Sequence, residues 1–267
     1  MKIRTIAWNT FGSLLRDKLI ILFFALFVCV VLLMMTPMLG AKAITTAANA
    51  AQMQAMVLGF VSAIMAMVSG FGSLLAAWAS ADAVATEMKS GTILAVMARP
   101  VRRWEFLLGK YAGVMMLMAV YVALMFGLSY LLAWMGGERI QSTPWVLLLY
   151  PMVRYAVYSA IAMMLVTLMH PVVTIGIVMV ISVLAGIVAP TAADSSRLAV
   201  WVKTPLYVIL PSTGLLSEDR FLTITHAALK PTGWLEHATT LAYGLDYALV
   251  FLVLAMWSFH YRSLKRD

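Results

Sequence analysis

The chain has 267 residues, of which 63% are hydrophobic and 11% charged, with a mean hydropathy of +0.95 and a formal net charge of +8. Soluble domains hold roughly 45–50% apolar residues, so this composition excludes a water-soluble globular protein. A single cysteine, Cys29, excludes a disulfide within the chain.

Residues 1–18 form the first predicted element. Ile3, Ile6, Ala7, Phe11, Leu14 and Leu15 recur at helical spacing, with Lys2, Arg4, Asn9, Ser13 and Arg16 opposite. A helix that is basic on its polar face suits the membrane interface. Arg16-Asp17-Lys18 predicts a bend before the first long apolar run. Charge reaching Lys18, and an apolar run too long for a signal peptide, predict an uncleaved start.

A helix crossing hydrocarbon needs about 20 apolar residues at about 1.5 Å each. Uncharged runs at 19–41, 43–81, 111–137 and 171–193 meet that demand. Six spans are expected, at about 19–40, 54–81, 106–135, 145–169, 172–190 and 243–261. The alternating segments of a membrane β-barrel are absent, as are internal repeats. The predicted fold is therefore an all-α integral membrane protein with one transmembrane domain over 1–267. It comprises six transmembrane helices, an N-terminal interfacial amphipathic helix (1–18), a cytoplasmic loop at 82–105 and an extracytoplasmic loop at 191–242 carrying short helices.

Lys and Arg set the orientation. With the N-terminus inside, twelve of the 19 basic residues fall on the cytoplasmic side, six fall outside, and Arg154 lies within a span. This obeys the positive-inside rule and places both termini in the cytoplasm. Basic residues at the membrane edge contact anionic lipid, so the positive charge requires no nucleic acid.

Within the second span, Ser69, Ser73, Ala77 and Ala81 recur at every fourth position. Small residues at this spacing let helices approach closely, within the bundle or across a dimer. Between the second and third spans, 85–110 gathers Glu87, Lys89, Arg99, Arg102, Arg103, Glu105 and Lys110. Ser90-Gly91 predicts a helix stop, because glycine accepts the left-handed conformation there. Thr92 can cap a new short helix whose apolar side is Ile93, Leu94, Val96 and Met97. Pro100 forbids its continuation and pushes Arg99 to an extended form. The result is a helix of about 10 Å between two spans, shaped for docking and too small for an enzyme domain.

Arg154 stands about nine residues into the fourth span, roughly 14 Å along the helix. A charge so deep costs about 2.5–3.5 kcal/mol on insertion scales unless paired or wetted. It is expected to face the bundle or a dimer axis, near Asp246 or Glu138. Gly109-Lys110 is followed by Tyr111 and lacks the first glycine of a phosphate-binding loop, so no ATP site is expected. The four histidines have no ligand spacing, and the 21 methionines lie along the spans as packing residues. No catalytic, metal or cofactor site is expected in this chain.

Glu87, Gly91-Thr92, Arg99-Pro100, Arg103 and Leu107-Leu108-Gly109-Lys110 together resemble the first cytoplasmic loop of ABC-2 type permeases, the membrane subunits of one class of ATP-binding-cassette exporters. Six-span members such as the permease of the nitrous-oxide reductase copper-maturation system are similar, including an Arg where Arg154 stands. The resemblance implies that the loop holds a coupling helix docked on a separate cytoplasmic ATPase subunit, with Glu87, Gly91, Thr92, Arg99, Pro100 and Arg103 as its residues. ATP and Mg would then sit on that partner. It implies a permease dimer in a bacterial cytoplasmic (inner) membrane, an export function, and an outer loop capping the transport path. The short connection at His170-Pro171 carries no Lys or Arg and departs from a second docking point. Two other readings stay open: a secondary transporter or small membrane enzyme without an ATPase, the transporter disfavoured because the carboxylates lie in loops or near span ends, and a structural or regulatory membrane subunit that transports nothing.

Overall fold

The computed structural model of the chain describes residues 2–43, 50–90, 102–136, 144–187, 216 and 234–261. Gly91, Thr92, Arg99, Pro100 and the short helix expected between them lie outside these residues, as does Glu138. Seven helices are described: α1 (Lys2–Leu15), α2 (Lys18–Ala43), α3 (Ala50–Ser90), α4 (Arg103–Gly136), α5 (Pro144–Leu168), α6 (Pro171–Ile187) and α7 (Trp234–Tyr261). No strand occurs among the described residues.

Each expected span coincides with one of the helices α2 to α7. Among the described residues four are long and apolar enough to cross a membrane, at Ala66–Met88, Arg103–Leu128, Leu148–Leu168 and Trp234–Tyr261. Lys18–Leu33 and Pro171–Leu184 are shorter apolar helices.

Helix boundaries follow local chemistry. The α1–α2 bend lies at Arg16-Asp17, where the Asp17 carboxylate accepts from the Leu19 amide at 2.8 Å and caps α2. Glu105 reaches back to accept from the Arg102 amide at 2.9 Å, closing the first turn of α4 as a capping box does. Pro171 opens α6, where its missing N–H costs nothing.

Two helices run further than hydropathy indicates. The α3 helix continues through Asp82 and Glu87 to Ser90, because the alanine-rich 76–85 favours helix whatever the charge. With α4 starting at Arg103, the connection narrows from the expected 82–105, and Glu87 is helical. The last helix begins at Trp234, nine residues before the expected 243. Its first turns are amphipathic, so a hydropathy average misses them. Thr239 and Thr240 hydroxyls donate to the Glu236 carbonyl at 3.0 and 2.8 Å.

The centre of the bundle is α5. Most residues of Leu148–Leu168 are buried, whereas most of Trp234–Tyr261 in α7 are not, so α7 is peripheral. Around α5 pack α3, α4, α6 and α7, while α2 lies against α3 and α4. The stripe Ser69, Ser73, Ala77 and Ala81 is buried within the single chain, so intrachain packing accounts for it. Helix α1 lies along α4.

Candidate functional site

Helix α1 shows how the chain prepares one end of α4. Its buried residues are Ala7, Thr10 and Leu14, and they face α4 rather than lipid. The exposed hydrophobes are instead Trp8, at 67% exposure, and Leu15. Buried Thr10 is satisfied by donating to the Ile6 carbonyl at 2.9 Å. Gly109 and Gly113, one turn apart on α4, form the bed. A Cβ on Gly109 would lie 2.7 Å from Ile6 Cβ, and one on Gly113 would lie 2.7 Å from the Ala7 carbonyl oxygen. The two helices are too close for any other residue at these positions.

Beside this bed, Lys110 donates to Glu87 Oε1, linking the second turn of α4 to the last turn of α3. The side chains are 5% and 23% exposed, so the pair is largely desolvated. Lys110 Nζ also lies 5.7 Å from the centre of the Phe106 ring, a cation–π contact. Phe106 stacks on Phe259 of α7 with centroids 6.1 Å apart. One turn earlier, Arg103 Nη1 donates to the Phe259 carbonyl at 3.3 Å and the His260 carbonyl at 2.8 Å. These carbonyls belong to the last turn of α7, where no intrahelical donor remains. Arg103, Phe106 and Lys110 thus form one stripe on α4, at positions i, i+3 and i+7. They join the last turns of α3 and α7 to the first turns of α4.

Of the residues expected to couple to an ATPase, Glu87 and Arg103 are described and both belong to this junction. The structure pairs Glu87 with Lys110, a partner that sequence spacing does not indicate. Gly109, Gly113, Phe106 and the pairing role of Lys110 were missed. A signal existed for the glycines, since Gly109-Lys110-Tyr111-Ala112-Gly113 has the small-xxx-small spacing.

A second polar group lies at the middle of the bundle. Tyr121 of α4 donates to the Val68 carbonyl of α3 at 2.7 Å, and the Tyr155 hydroxyl lies 3.5 Å from the Val68 and Ser69 carbonyls. The rings of Tyr121 and Tyr155 meet edge to face at 6.0 Å, with Phe24 of α2 against Tyr121. Gly72 makes room, because a Cβ there would collide with the Tyr155 hydroxyl and lie 2.7 Å from Tyr121 Cε1. Arg154 is 8% exposed, ten residues after Pro144, with its guanidinium 5.6 Å from the Tyr155 ring centre. Asp246, one of its expected partners, is exposed on α7. The charge is buried inside this chain.

Among the described residues no three His, Cys, Asp or Glu side chains come together to hold a metal ion. The described residues form a helix bundle with apolar outer faces, a charge-paired junction between helix ends and a buried cation, Arg154, in its middle. These define a polytopic helical membrane protein. The sequence profile of the family described as ABC-2 family transporter protein matches residues 4–264, nearly the whole chain. The chain belongs to that family and is an integral membrane protein. No curated protein matches it.

Proposed function

We propose that the chain is the permease subunit of an ATP-driven ABC-2 exporter, working as a dimer with a separate cytoplasmic ATPase. The observation that carries this reading is the family match over 4–264. The junction around 91–101 supports it, because a loop that receives force must have firmly held ends, and Glu87–Lys110 and Arg103 hold them. In this reading ATP and Mg bind the partner, and this chain hydrolyses nothing. ATP-driven closure of the ATPase pushes the 91–101 loop and rocks the helices between alternating arrangements. Six helices cross a bacterial inner membrane with both termini in the cytoplasm, and Gly91, Thr92, Arg99 and Pro100 shape the docking helix. Likeness to the nitrous-oxide reductase maturation permease remains part of the proposal.

Affinity purification of the full-length chain from its native membrane, followed by mass spectrometry, tests the reading. A P-loop ATPase in equimolar amount is expected. Its reproducible absence would favour a transporter or membrane subunit that works without ATP.

A further inference from the structure

Helices α5 and α7 leave a groove of about 620 Å³ between them at the end where both terminate, α5 at Leu168 and α7 at Tyr261. That volume falls within the roughly 300–1,000 Å³ of small-molecule sites. Its walls are Met164 and Leu168 on one side and Leu254 and Trp257 on the other. From Tyr261 inward to Leu254 is seven residues, about 10 Å of helix. The two hydroxyls in the groove are already engaged. Thr167 donates to the Met164 carbonyl at 2.6 Å, and Ser258 Oγ lies 2.9 Å from Thr167 Oγ1. The lining therefore demands no polar partner, and hydrocarbon fits it. Leu168, Trp257 and Tyr261 stand exposed at its mouth.

In a bilayer an acyl chain gains nothing hydrophobic by entering such a groove, because lipid tails are equally apolar. Lasting residence needs a polar end that is held, and the end of the groove supplies one. Trp257 and Tyr261, whose rings meet edge to face at 5.6 Å, are residue types that settle at headgroup level. Arg103 lies on the same last turn of α7, donating to the Phe259 and His260 carbonyls, and Arg102 beside it is exposed. Bonded there to neutral carbonyls, the Arg103 guanidinium keeps its positive charge. None of the described lining residues is acidic, and Arg262 follows Tyr261 in the sequence. A second copy of the chain fits less well. Close helix approach in a membrane favours small residues, whereas this mouth presents leucine, tryptophan and tyrosine. We propose that the groove holds one anionic phospholipid of the surrounding bilayer, with an acyl chain between α5 and α7 and its phosphate near Arg102 and Arg103. Bound there, the lipid completes the contact of peripheral α7 with α5 at this end. The proposal requires the membrane setting alone and does not depend on an ATPase partner.

The test places the full-length chain in nanodiscs of phosphatidylglycerol and phosphatidylcholine in equal parts. A trace of either lipid carries a photoreactive diazirine on its acyl chain, and labelled peptides are mapped by mass spectrometry. The phosphatidylglycerol probe should label 164–168 and 254–261 at least about fivefold more than the phosphatidylcholine probe. That ratio corresponds to the roughly 1 kcal/mol that one basic side chain is worth at an anionic surface. Leu254→Trp, which fills the groove, should bring the phosphatidylglycerol signal down to the phosphatidylcholine level. Leu254→Ala, which widens it, should retain the preference and guards against misfolding of the first variant. Leu245→Trp, exposed on α7 and outside the groove, should leave the preference at the parent ratio. Arg103→Gln should lower the phosphatidylglycerol signal and leave the phosphatidylcholine signal unchanged. An equal fall in both would assign Arg103 to helix packing alone and overturn the headgroup contact. Equal labelling of the parent by the two probes would mean ordinary boundary lipid and overturn the proposal. Cross-links from these stretches to a second copy of the chain, in place of lipid, would overturn it as well.

Discussion

Lys110 of α4 donates to the carboxylate of Glu87 on α3, twenty-three positions away, inside a junction where Lys110 is almost fully buried. Both charges have given up most of their water, so each depends on the other. Truncating one partner of such a pair costs about 3–5 kcal/mol, whereas replacing both with apolar residues is often neutral. Glu87 keeps some exposure, which puts the effect near the lower bound. Glu87→Leu and Lys110→Met should each destabilise by about 3 kcal/mol, and the double variant should recover to within about 1 kcal/mol of the parent. Thermal unfolding in detergent checks this; a double variant that shows the sum of both losses would contradict the coupling.

Gly113 supports α1 through contact rather than charge. A larger side chain must push Ala7 and Thr10 away, because even a Cβ there would lie 2.7 Å from the Ala7 carbonyl oxygen and from Thr10 Cβ. Gly113→Val is expected to cost about 1–3 kcal/mol of overpacking and to release α1. Tryptic cleavage after Arg16 should accelerate, while the equivalent change at Gly127, which faces open space, should leave it at the parent rate.

Tyr121 tests the middle of the bundle. Its hydroxyl donates to a buried carbonyl at 2.7 Å, so Tyr121→Phe removes one hydrogen bond and leaves the ring packing intact. A loss of about 1 kcal/mol follows. Gly72→Ala should cost more, because it drives a methyl into Tyr155 and Tyr121 together. Equal melting temperatures for the two variants would mean that α3, α4 and α5 are less closely packed than described.

Arg154 is buried in α5 with its guanidinium 5.6 Å from the centre of the Tyr155 ring. Arg154→Leu should leave membrane insertion intact, since the helix becomes more apolar by about 2.5–3.5 kcal/mol on insertion scales. Transport or assembly should fall. Wild-type levels of both, measured in proteoliposomes and by complex yield, would show that the guanidinium serves no purpose in the membrane.

Much of this fold was legible because apolar runs of spanning length have few interpretations. Hydropathy located α2 to α7, and Arg16-Asp17-Lys18 located the α1–α2 bend. Hydropathy could not see α3 continuing past Asp82 or α7 beginning at Trp234, because mixed polar turns of a helix average to the value of a loop. Glu87 and Arg103 drew attention by charge alone. Their partners, Lys110 and the α7 carbonyls, are fixed by how α3, α4 and α7 pack, and sequence spacing carries no such information. Gly109 and Gly113 were readable in principle, since they repeat the small-residue spacing recognised at Ser69 and Ser73. Of the apolar face read for α1, Ala7 and Leu14 are buried against α4 while Leu15 is exposed, because a face that fits lipid also fits a helix and the glycine bed on α4 selects which residues it covers.

The proposed docking of an ATPase on 91–101 is tested most directly by a photo-cross-linking amino acid at position 95. Incorporated into the full-length chain and irradiated in native membranes, it should capture a P-loop ATPase in high yield. Gly91→Val should reduce the capture, because at the left-handed helix stop that the sequence predicts there a Cβ would cost about 1–2 kcal/mol. Adducts with lipid or with this chain alone, under conditions where the parent protein is fully active, would contradict the account.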